Sequence, residues 1–138
     1  MLLKQVLLCV FWACCSMKVN TQSLDTCGLT DSTKRTLCAA SEYDEIPGVD
    51  MDATLNCILK TTKIVDETGA GNFYSLFDPM AVFEDETRRL NHNLEACMTR
   101  RLKYTLPEPQ RAHAFYRCMM AGESQYSFKK VFNARVCN

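Results

Sequence analysis

The C-terminal stretch RAHAFYRCMMAGESQYSFKKVFNARVCN, from Arg111 to Asn138, contains two amphipathic runs on either side of Gly122. The first run has apolar residues at i, i+3, i+4 and i+7, the spacing of one helical face: Ala112, Phe115, Tyr116 and Met119. In the second run Lys129 and Lys130 occupy one side of a short helix, and the other side is apolar: Phe128, Val131 and Phe132. The stretch predicts two helices whose aromatic faces converge, and we expect any pocket to lie there.

Length and charge limit the class of protein. With 138 residues, of which 47% are hydrophobic, the chain can build one compact domain but not two. Sixteen basic residues balance sixteen acidic ones, and no basic tract is longer than a pair. Nucleic-acid binding usually needs an extended positive surface, so we expect no nucleic-acid partner. We expect the domain to be monomeric.

The N-terminus is typical of a secretory signal peptide. Met1–Lys4 supplies one positive charge, and the apolar run Gln5–Ser16 is too short to span a bilayer. The alternative is a membrane anchor, but no second long apolar run follows. We predict a signal peptide over residues 1–21, cut between 16 and 21, and a secreted domain over 22–138. Removing it takes Lys4 and Lys18 but no acid, which leaves the mature protein mildly acidic.

The cysteine count supports secretion independently. Three of the nine cysteines lie in the predicted signal peptide, and six remain: Cys27, Cys38, Cys57, Cys97, Cys118 and Cys137. An even number in an exported domain implies three disulfides, with fifteen possible connectivities. The short ligand spacings of zinc sites are missing, so we predict no metal.

Caps, glycines and prolines divide the rest of the chain into short helices. We predict a short helix that follows a cap at Thr30 or Asp31 and ends in the polar stretch 41–45, and a stronger helix over 51–67, capped by Asp50. Asp78 and Pro79 predict a cap and a first-turn proline for a helix over 79–91, preceded by a single turn at 72–77, and 93–103 predicts another. No period-two strand pattern appears. The predicted fold is all-α, a compact disulfide-linked bundle of about six short helices.

The residues needed for catalysis are missing. The two histidines, His92 and His113, belong to no metal, nucleophile or phosphate-binding motif. Glu84, Asp85 and Glu86 are successive residues that would point in different directions on a helix, so we interpret them as a solvated face. We predict a protein that is not an enzyme and has no cofactor.

Two residue sets allow both a functional and a structural interpretation. The basic pairs could attract a sulfated polysaccharide or an acidic lipid, or they could be ordinary helix surface: Arg88–Arg89, Arg100–Arg101 and Lys129–Lys130. The aromatic set could be core, or it could line a pocket of a small bundle: Phe115, Tyr116, Phe128 and Phe132.

Several motifs in order resemble the short salivary D7 proteins of blood-feeding mosquitoes, a branch of the insect odorant-binding-protein superfamily. The matching pieces span most of residues 24–133: Cys27 with Cys38, Met51-Asp52 before Cys57, Phe77-Asp78-Pro79, Asn93-Leu94-Glu95 before Cys97, Arg111-Ala112-His113 with Phe115-Tyr116 before Cys118, and Phe128-Lys129-Lys130-Val131-Phe132. The resemblance implies an all-helical fold, secretion in saliva, and a pocket that in family members sequesters serotonin, histamine and noradrenaline. It also implies three disulfides: Cys27–Cys57, Cys38–Cys137 and Cys97–Cys118.

The residues that would hold an amine differ from the family pattern. Tyr116 matches the pocket-wall tyrosine, but Asn133 and Val136 stand where the family has carboxylates. Ser41 and Thr54 stand where an arginine and a histidine are expected, and the additional C-terminal segment of amine-binding members is missing after Cys137. An asparagine offers a hydrogen bond without Coulomb attraction, and desolvating an unpaired ammonium costs several kcal/mol.

We therefore predict a secreted salivary ligand-binding protein that modulates host haemostasis or inflammation and binds biogenic amines weakly or not at all. The candidate pocket residues are Tyr116, Phe115, Phe128, Phe132, Asn133, Ser41 and Thr54. The alternatives are an amine scavenger, a surface-acting inhibitor of a host clotting or kinin component, and a carrier of apolar odorants or lipids. No membrane partner is expected.

Overall fold

The computed structural model describes residues 24–98 and 105–138, and within these ranges the fold is six α-helices after one short 3₁₀ turn at Leu24–Cys27. The helices are α1 (Asp31–Ala39), α2 (Met51–Thr61), α3 (Phe73–Ala81), α4 (Thr87–Cys97), α5 (Glu108–Ala121) and α6 (Gln125–Val136). The only extended pairing in these ranges is an isolated bridge between Val65 and Gly71. The all-α prediction is confirmed, whereas the predicted signal peptide and Arg100–Arg101 lie outside the described residues.

The first two helices begin at predicted caps. Thr30 Oγ1 accepts a hydrogen bond from the Thr33 amide at 3.1 Å, and Asp50 Oδ1 accepts one from the Ala53 amide at 3.1 Å. The short helix predicted after the first cap is α1, and Gly28, with a φ of 63°, separates it from the 3₁₀ turn.

The predicted end of the second helix at residue 67 is wrong. Helix α2 stops at Thr61, and Lys63 then adopts a φ of 63°. This reversal lets the amides of Ile64 and Val65 both donate to the Leu59 carbonyl, at 2.9 and 3.1 Å. Both side chains are then fully buried, so burial of two apolar residues outweighs continuation of the helix.

The predicted helix start at Asp78-Pro79 is wrong. Helix α3 begins six residues earlier, where Asn72 Oδ1 accepts a hydrogen bond from the Ser75 amide at 3.3 Å. Asp78 is exposed, and Pro79 lies inside the helix. The aromatic segment 72–77, predicted as a single turn, is most of α3.

A side chain from α6 compensates for Pro79. Proline has no amide hydrogen, so the carbonyl four residues earlier, that of Ser75, loses its helical donor. Arg135 Nη2 donates to this Ser75 carbonyl at 2.6 Å, and Arg135 Nη1 donates to Ser75 Oγ at 2.7 Å and to the Thr62 carbonyl at 3.2 Å. Half-burial lowers the pKa of Arg135. The guanidinium therefore joins α6 to α3 and to the end of α2.

The predicted helices 79–91 and 93–103 are replaced by one helix in the described residues. Helix α4 runs from Thr87 to Cys97 and buries Leu90, Leu94 and Cys97, which are spaced i, i+4 and i+7. Glu84, predicted to lie on a solvated acidic face, has a side chain only 6% exposed, and it accepts a hydrogen bond from Ser127 Oγ at 2.7 Å. Asp85 and Glu86 are exposed as predicted.

The core forms where α5 packs on α2 and α6. The backbone of Gly71 lies so close to the Phe115 ring that a Cβ at this position would clash with the ring carbons. Three disulfides tie the helices together, and they are the three pairs that the family resemblance implies: Cys27–Cys57, Cys38–Cys137 and Cys97–Cys118. None of the helices in residues 24–98 and 105–138 is long and apolar enough to cross a membrane.

Candidate functional site

The four aromatic residues of the candidate pocket pack against one another between α5 and α6. Their side chains are at most 1% exposed: Phe115, Tyr116, Phe128 and Phe132. The Tyr116 ring centroid lies 6.1 Å from that of Phe128 and 5.6 Å from that of Phe132. Burial raises the pKa of Tyr116 to about 12. These rings form core, and none of them lines the three surface depressions described below.

A groove of about 280 Å³ lies between the C-terminal end of α1 and one face of α6. It brings together two of the predicted site residues, Ser41 and Asn133. Its lining is Cys38, Ala39, Ala40, Ser41, Gln125, Tyr126, Lys129, Lys130 and Asn133. We call it the Lys129 groove, because the Lys129 ammonium makes several hydrogen bonds there.

The Lys129 ammonium is held by three oxygen atoms. Its Nζ donates to the carbonyls of Leu37 at 2.5 Å and Cys38 at 3.1 Å, and to Asn133 Oδ1 at 3.0 Å. The two carbonyls belong to the last turn of α1, where helix carbonyls have no helical partner and the helix dipole is negative. Asn133 Nδ2 also donates to the Cys38 carbonyl, at 3.3 Å. The end of α1 and Asn133 thus form an ammonium site that the chain fills with its own lysine.

The Lys129 groove is positively charged. Lys129 and Lys130 are the charged residues of its lining, which contains no carboxylate. Partial burial lowers the pKa of Lys129 to about 8, because removing the ammonium from water disfavours its charged form. The Lys129 Nζ also lies 4.9 Å from the Phe132 ring centroid, and the Lys130 Nζ lies 5.3 Å from that of Tyr126.

The remaining residues that differ from the family pattern lie elsewhere. Val136 is fully buried in the core, and Thr54 is a half-buried residue of α2. Thr54 lines neither the Lys129 groove nor the other two described depressions. The structure therefore brings Ser41 and Asn133 together but does not bring Thr54 to the same groove.

A second, acidic depression of about 630 Å³ lies beside the segment that joins α1 to α2. Three carboxylates and one imidazole are part of its lining: Glu45, Asp50, Asp52 and His113. The third depression, about 240 Å³, lies at the Cys97–Cys118 disulfide and is mainly apolar. Carboxylates that could face a cation therefore lie in the second depression and not in the Lys129 groove.

A chain of hydrogen bonds runs from the acidic depression, which Asp52 and His113 line, to Tyr43 outside its lining. His113 Nδ1 lies 2.7 Å from Asp52 Oδ1, and His113 Nε2 lies 2.6 Å from the Tyr43 hydroxyl. A carboxylate can only accept, so in the neutral ring Nδ1 donates to Asp52 and the Tyr43 hydroxyl donates to Nε2. The Arg117 guanidinium lies 4.7 Å from the Tyr43 ring centroid, and burial raises the pKa of Tyr43.

Sequence reasoning missed this chain. In the sequence His113 belongs to no metal, nucleophile or phosphate-binding motif, and no pattern marks Tyr43. The two are 70 positions apart, so no local spacing could pair them. The described ranges contain no group of three or more His, Cys, Asp or Glu residues that could hold a metal ion. Both ring nitrogens of His113 are engaged, which fits an anchor between segments of the fold.

Comparison with known proteins gives consistent matches. The short form salivary protein D7R1 of Anopheles stephensi is 34% identical over 135 residues, covering 86% of this chain and 80% of that protein. The short form salivary protein D7R4 of Anopheles gambiae is 31% identical over 135 residues, covering 96% and 80%. No family model matches the chain.

A solved structure also matches. The crystal structure of the Anopheles gambiae D7R4–norepinephrine complex superposes with a TM-score of 0.60 and 28% sequence identity. The match covers 83% of this chain and 79% of that chain. The helical architecture is therefore shared along with the sequence.

Proposed function

The chain belongs to the short-form salivary D7 proteins, and on that premise we propose that it is a salivary binding protein with weak or no affinity for biogenic amines. Its relatives are salivary proteins, and the protein is secreted. We further propose that it acts in the host on haemostasis or inflammation by binding a mediator, without catalysis. Norepinephrine is bound by the D7R4 relative.

One observation carries the weak-amine proposal: the Lys129 ammonium already occupies the oxygen site formed by α1 and Asn133. A ligand ammonium entering the same groove would meet a like charge. At 4 Å and an effective dielectric of about 20, two unit charges repel by about 4 kcal/mol. This repulsion is about half of the binding free energy of a micromolar ligand, which is about 8 kcal/mol.

The neutral lining adds to this effect. Asn133 can accept a hydrogen bond from an ammonium, but its Oδ1 already accepts one from Lys129. The lining of the groove has no carboxylate to compensate the desolvation of a ligand cation. A ligand ammonium therefore finds less Coulomb attraction in the groove and fewer free hydrogen-bond acceptors.

Calorimetric titration of the purified, oxidised protein with serotonin, histamine and norepinephrine tests the proposal. We expect dissociation constants weaker than about 10 μM for all three, which corresponds to less than about 7 kcal/mol of binding free energy. Submicromolar binding of any one of them would overturn it.

The acidic depression favours a second candidate function, amine scavenging at a different place. Its lining includes Asp50, Asp52 and Glu45, and at about 630 Å³ it is large enough for a small aromatic amine. Asp52→Asn distinguishes the two sites, because Asp52 lines the acidic depression and not the Lys129 groove. Amine binding that is lost in Asp52→Asn and kept in Lys129→Gln would assign scavenging to the acidic depression.

A further inference from the structure

The Lys129 groove has a fixed positive charge with no opposing carboxylate in its lining. The ammonium is anchored by two backbone carbonyls and one side-chain amide oxygen, and none of these carries a full negative charge. The end of a helix contributes about half a negative charge at most. A net positive charge from Lys129 therefore remains, and Lys130 adds to it.

The anchoring keeps this charge in place. The three oxygen partners restrain Nζ, and the Phe132 ring lies 4.9 Å away on the core side. A charged group that is already held in its binding geometry loses little conformational entropy when a ligand arrives. Lys129 is thus a preorganised counter-charge, unlike a lysine that extends freely into water.

The rest of the groove is suited to an apolar group. Ala39, Ala40 and the Cys38–Cys137 disulfide form the α1 side, and the Tyr126 ring, 63% exposed, stands on the α6 side. The exposed Tyr126 ring and the alanine methyl groups give an apolar ligand tail a surface to contact. The volume of about 280 Å³ is at the low end of the range for small-molecule sites.

We propose that the Lys129 groove binds a small organic anion, a carboxylate with a short apolar tail. Its headgroup faces Lys129 and Lys130, and its tail lies against Tyr126 and the alanines at the end of α1. This inference rests on the proposed function, because a groove that rejects amines is free for a ligand of opposite charge.

The competing explanation is that Lys129 only caps α1. Lysine side chains often hydrogen-bond the last carbonyls of a helix, and such a cap needs no ligand. A cap affects stability alone, whereas an anion site also discriminates between headgroups. The two explanations therefore make different predictions for ligands that share one tail.

The test uses three probes with the same eight-carbon tail: octanoate, 1-octanol and octylammonium. Each is titrated calorimetrically into the purified, oxidised protein at pH 7. We expect octanoate to bind at least about tenfold more tightly than octanol, since the charges of Lys129 and Lys130 attract a carboxylate but not a neutral hydroxyl. Octylammonium should bind more weakly than octanol.

Two variants locate the effect. Lys129→Gln removes the charge and should cancel the preference for octanoate, while Lys129→Arg should retain it. The matched control is Arg88→Gln, which makes the same charge change at an exposed residue of α4 outside the groove, and it should leave the preference unchanged.

A third variant serves if Lys129→Gln fails to fold. Asn133→Asp keeps Lys129 and places a carboxylate where the amide oxygen now lies 3.0 Å from Nζ, so the lysine charge is paired internally. Octanoate binding should then fall about tenfold or more. A thermal melt of each variant establishes that it is folded.

The outcomes separate the two proposals. Equal binding of octanoate and octanol, or no binding of octanoate, overturns the anion site and leaves the weak-amine proposal intact. If octylammonium binds most tightly of the three probes and loses no affinity in any Lys129 variant, both the anion site and the weak-amine proposal are overturned. Preference for octanoate that survives Lys129→Gln and Asn133→Asp also overturns the assignment to this groove.

Discussion

At the scale of single residues, Lys129 combines two roles that are usually separate. Its ammonium completes the hydrogen bonding of the Leu37 and Cys38 carbonyls, and it gives the groove its charge. The neighbouring Lys130 is exposed and lies over the Tyr126 ring. Of the two lysines, only Lys129 is anchored by backbone carbonyls, and both line the groove.

The pKa of Lys129 predicts how stability depends on pH. It is lowered to about 8 in the fold, against about 10.4 in an unfolded chain. Between these values the unfolded chain binds more protons, so the contribution of this residue to stability rises with pH in that window and falls as pH is lowered through about 8. Urea unfolding at pH 7.5 and 9.5 should show the wild type gaining stability relative to Lys129→Gln at the higher pH.

Subtracting the variant cancels the titration of other groups in this range, including Tyr43 and Tyr116, whose pKa values burial raises. The same stability difference between the wild type and Lys129→Gln at both pH values would contradict the lowered pKa of Lys129.

Glu84 provides a second test at this scale. Its nearly buried carboxylate accepts from Ser127 Oγ and lies 3.5 Å from Arg89 Nη2. We expect Glu84→Ala to lower the free energy of unfolding by about 1 to 3 kcal/mol, because the bond from Ser127 and the ion pair with Arg89 are lost, which leaves Ser127 Oγ only the Ser124 carbonyl at 3.0 Å. The exposed neighbour is the control: Asp85→Ala should change it by less than about 0.5 kcal/mol. Similar losses of unfolding free energy for the two variants would show that the Glu84 side chain behaves as an exposed surface residue.

At the scale of helices, α3 depends on a residue from another helix. Its Pro79 leaves the Ser75 carbonyl without a helical donor, and Arg135 of α6 supplies one at 2.6 Å. Helix α3 can therefore start at its Asn72 cap and continue through Pro79, although a proline normally marks the start of a helix. The tertiary partner explains why Asp78-Pro79 misled the sequence prediction.

A double-mutant cycle tests this compensation. Arg135→Gln should cost about 1 to 3 kcal/mol of unfolding free energy in the wild type, because the Ser75 and Thr62 carbonyls lose donors. In a Pro79→Ala background the backbone amide introduced by the substitution can donate to the Ser75 carbonyl, so the cost should fall by more than about 0.5 kcal/mol. Urea unfolding of the four proteins measures it, and additive effects would refute the link.

At the scale of the whole molecule, short helices are held by packing and by three cross-links. The disulfides close separations of 30, 99 and 21 residues, and the longest, Cys38–Cys137, joins the end of α1 to the end of α6. In the chain-entropy model a loop of about 100 residues contributes about 4.7 kcal/mol, an amount comparable to the stability of a small domain. The same bond holds the two sides of the Lys129 groove together.

Reduction should therefore unfold or loosen the protein. We expect a thermal melt with a strong reductant to shift to a much lower midpoint, and Cys38→Ala/Cys137→Ala to lose more stability than Cys97→Ala/Cys118→Ala, which opens the shorter loop. A midpoint unchanged by reduction would contradict this.

The sequence allowed the fold class and several local features to be predicted. The apolar face of α5 and the caps Thr30 and Asp50 depend on residues a few positions apart, so local spacing was sufficient. The role of Lys129 was missed because its partners Leu37 and Cys38 lie 92 and 91 positions away. The Asp52–His113–Tyr43 chain was missed for the same reason.

The central claim is that an internal ammonium excludes a ligand ammonium from the Lys129 groove. Calorimetric titration of norepinephrine into the wild type and into Lys129→Gln/Asn133→Asp tests it most directly, because the variant frees the two α1 carbonyls and adds a carboxylate beside them. The account predicts that the variant binds norepinephrine at least about tenfold more tightly, a gain of about 1.4 kcal/mol. Equal affinity of the two folded proteins would contradict it.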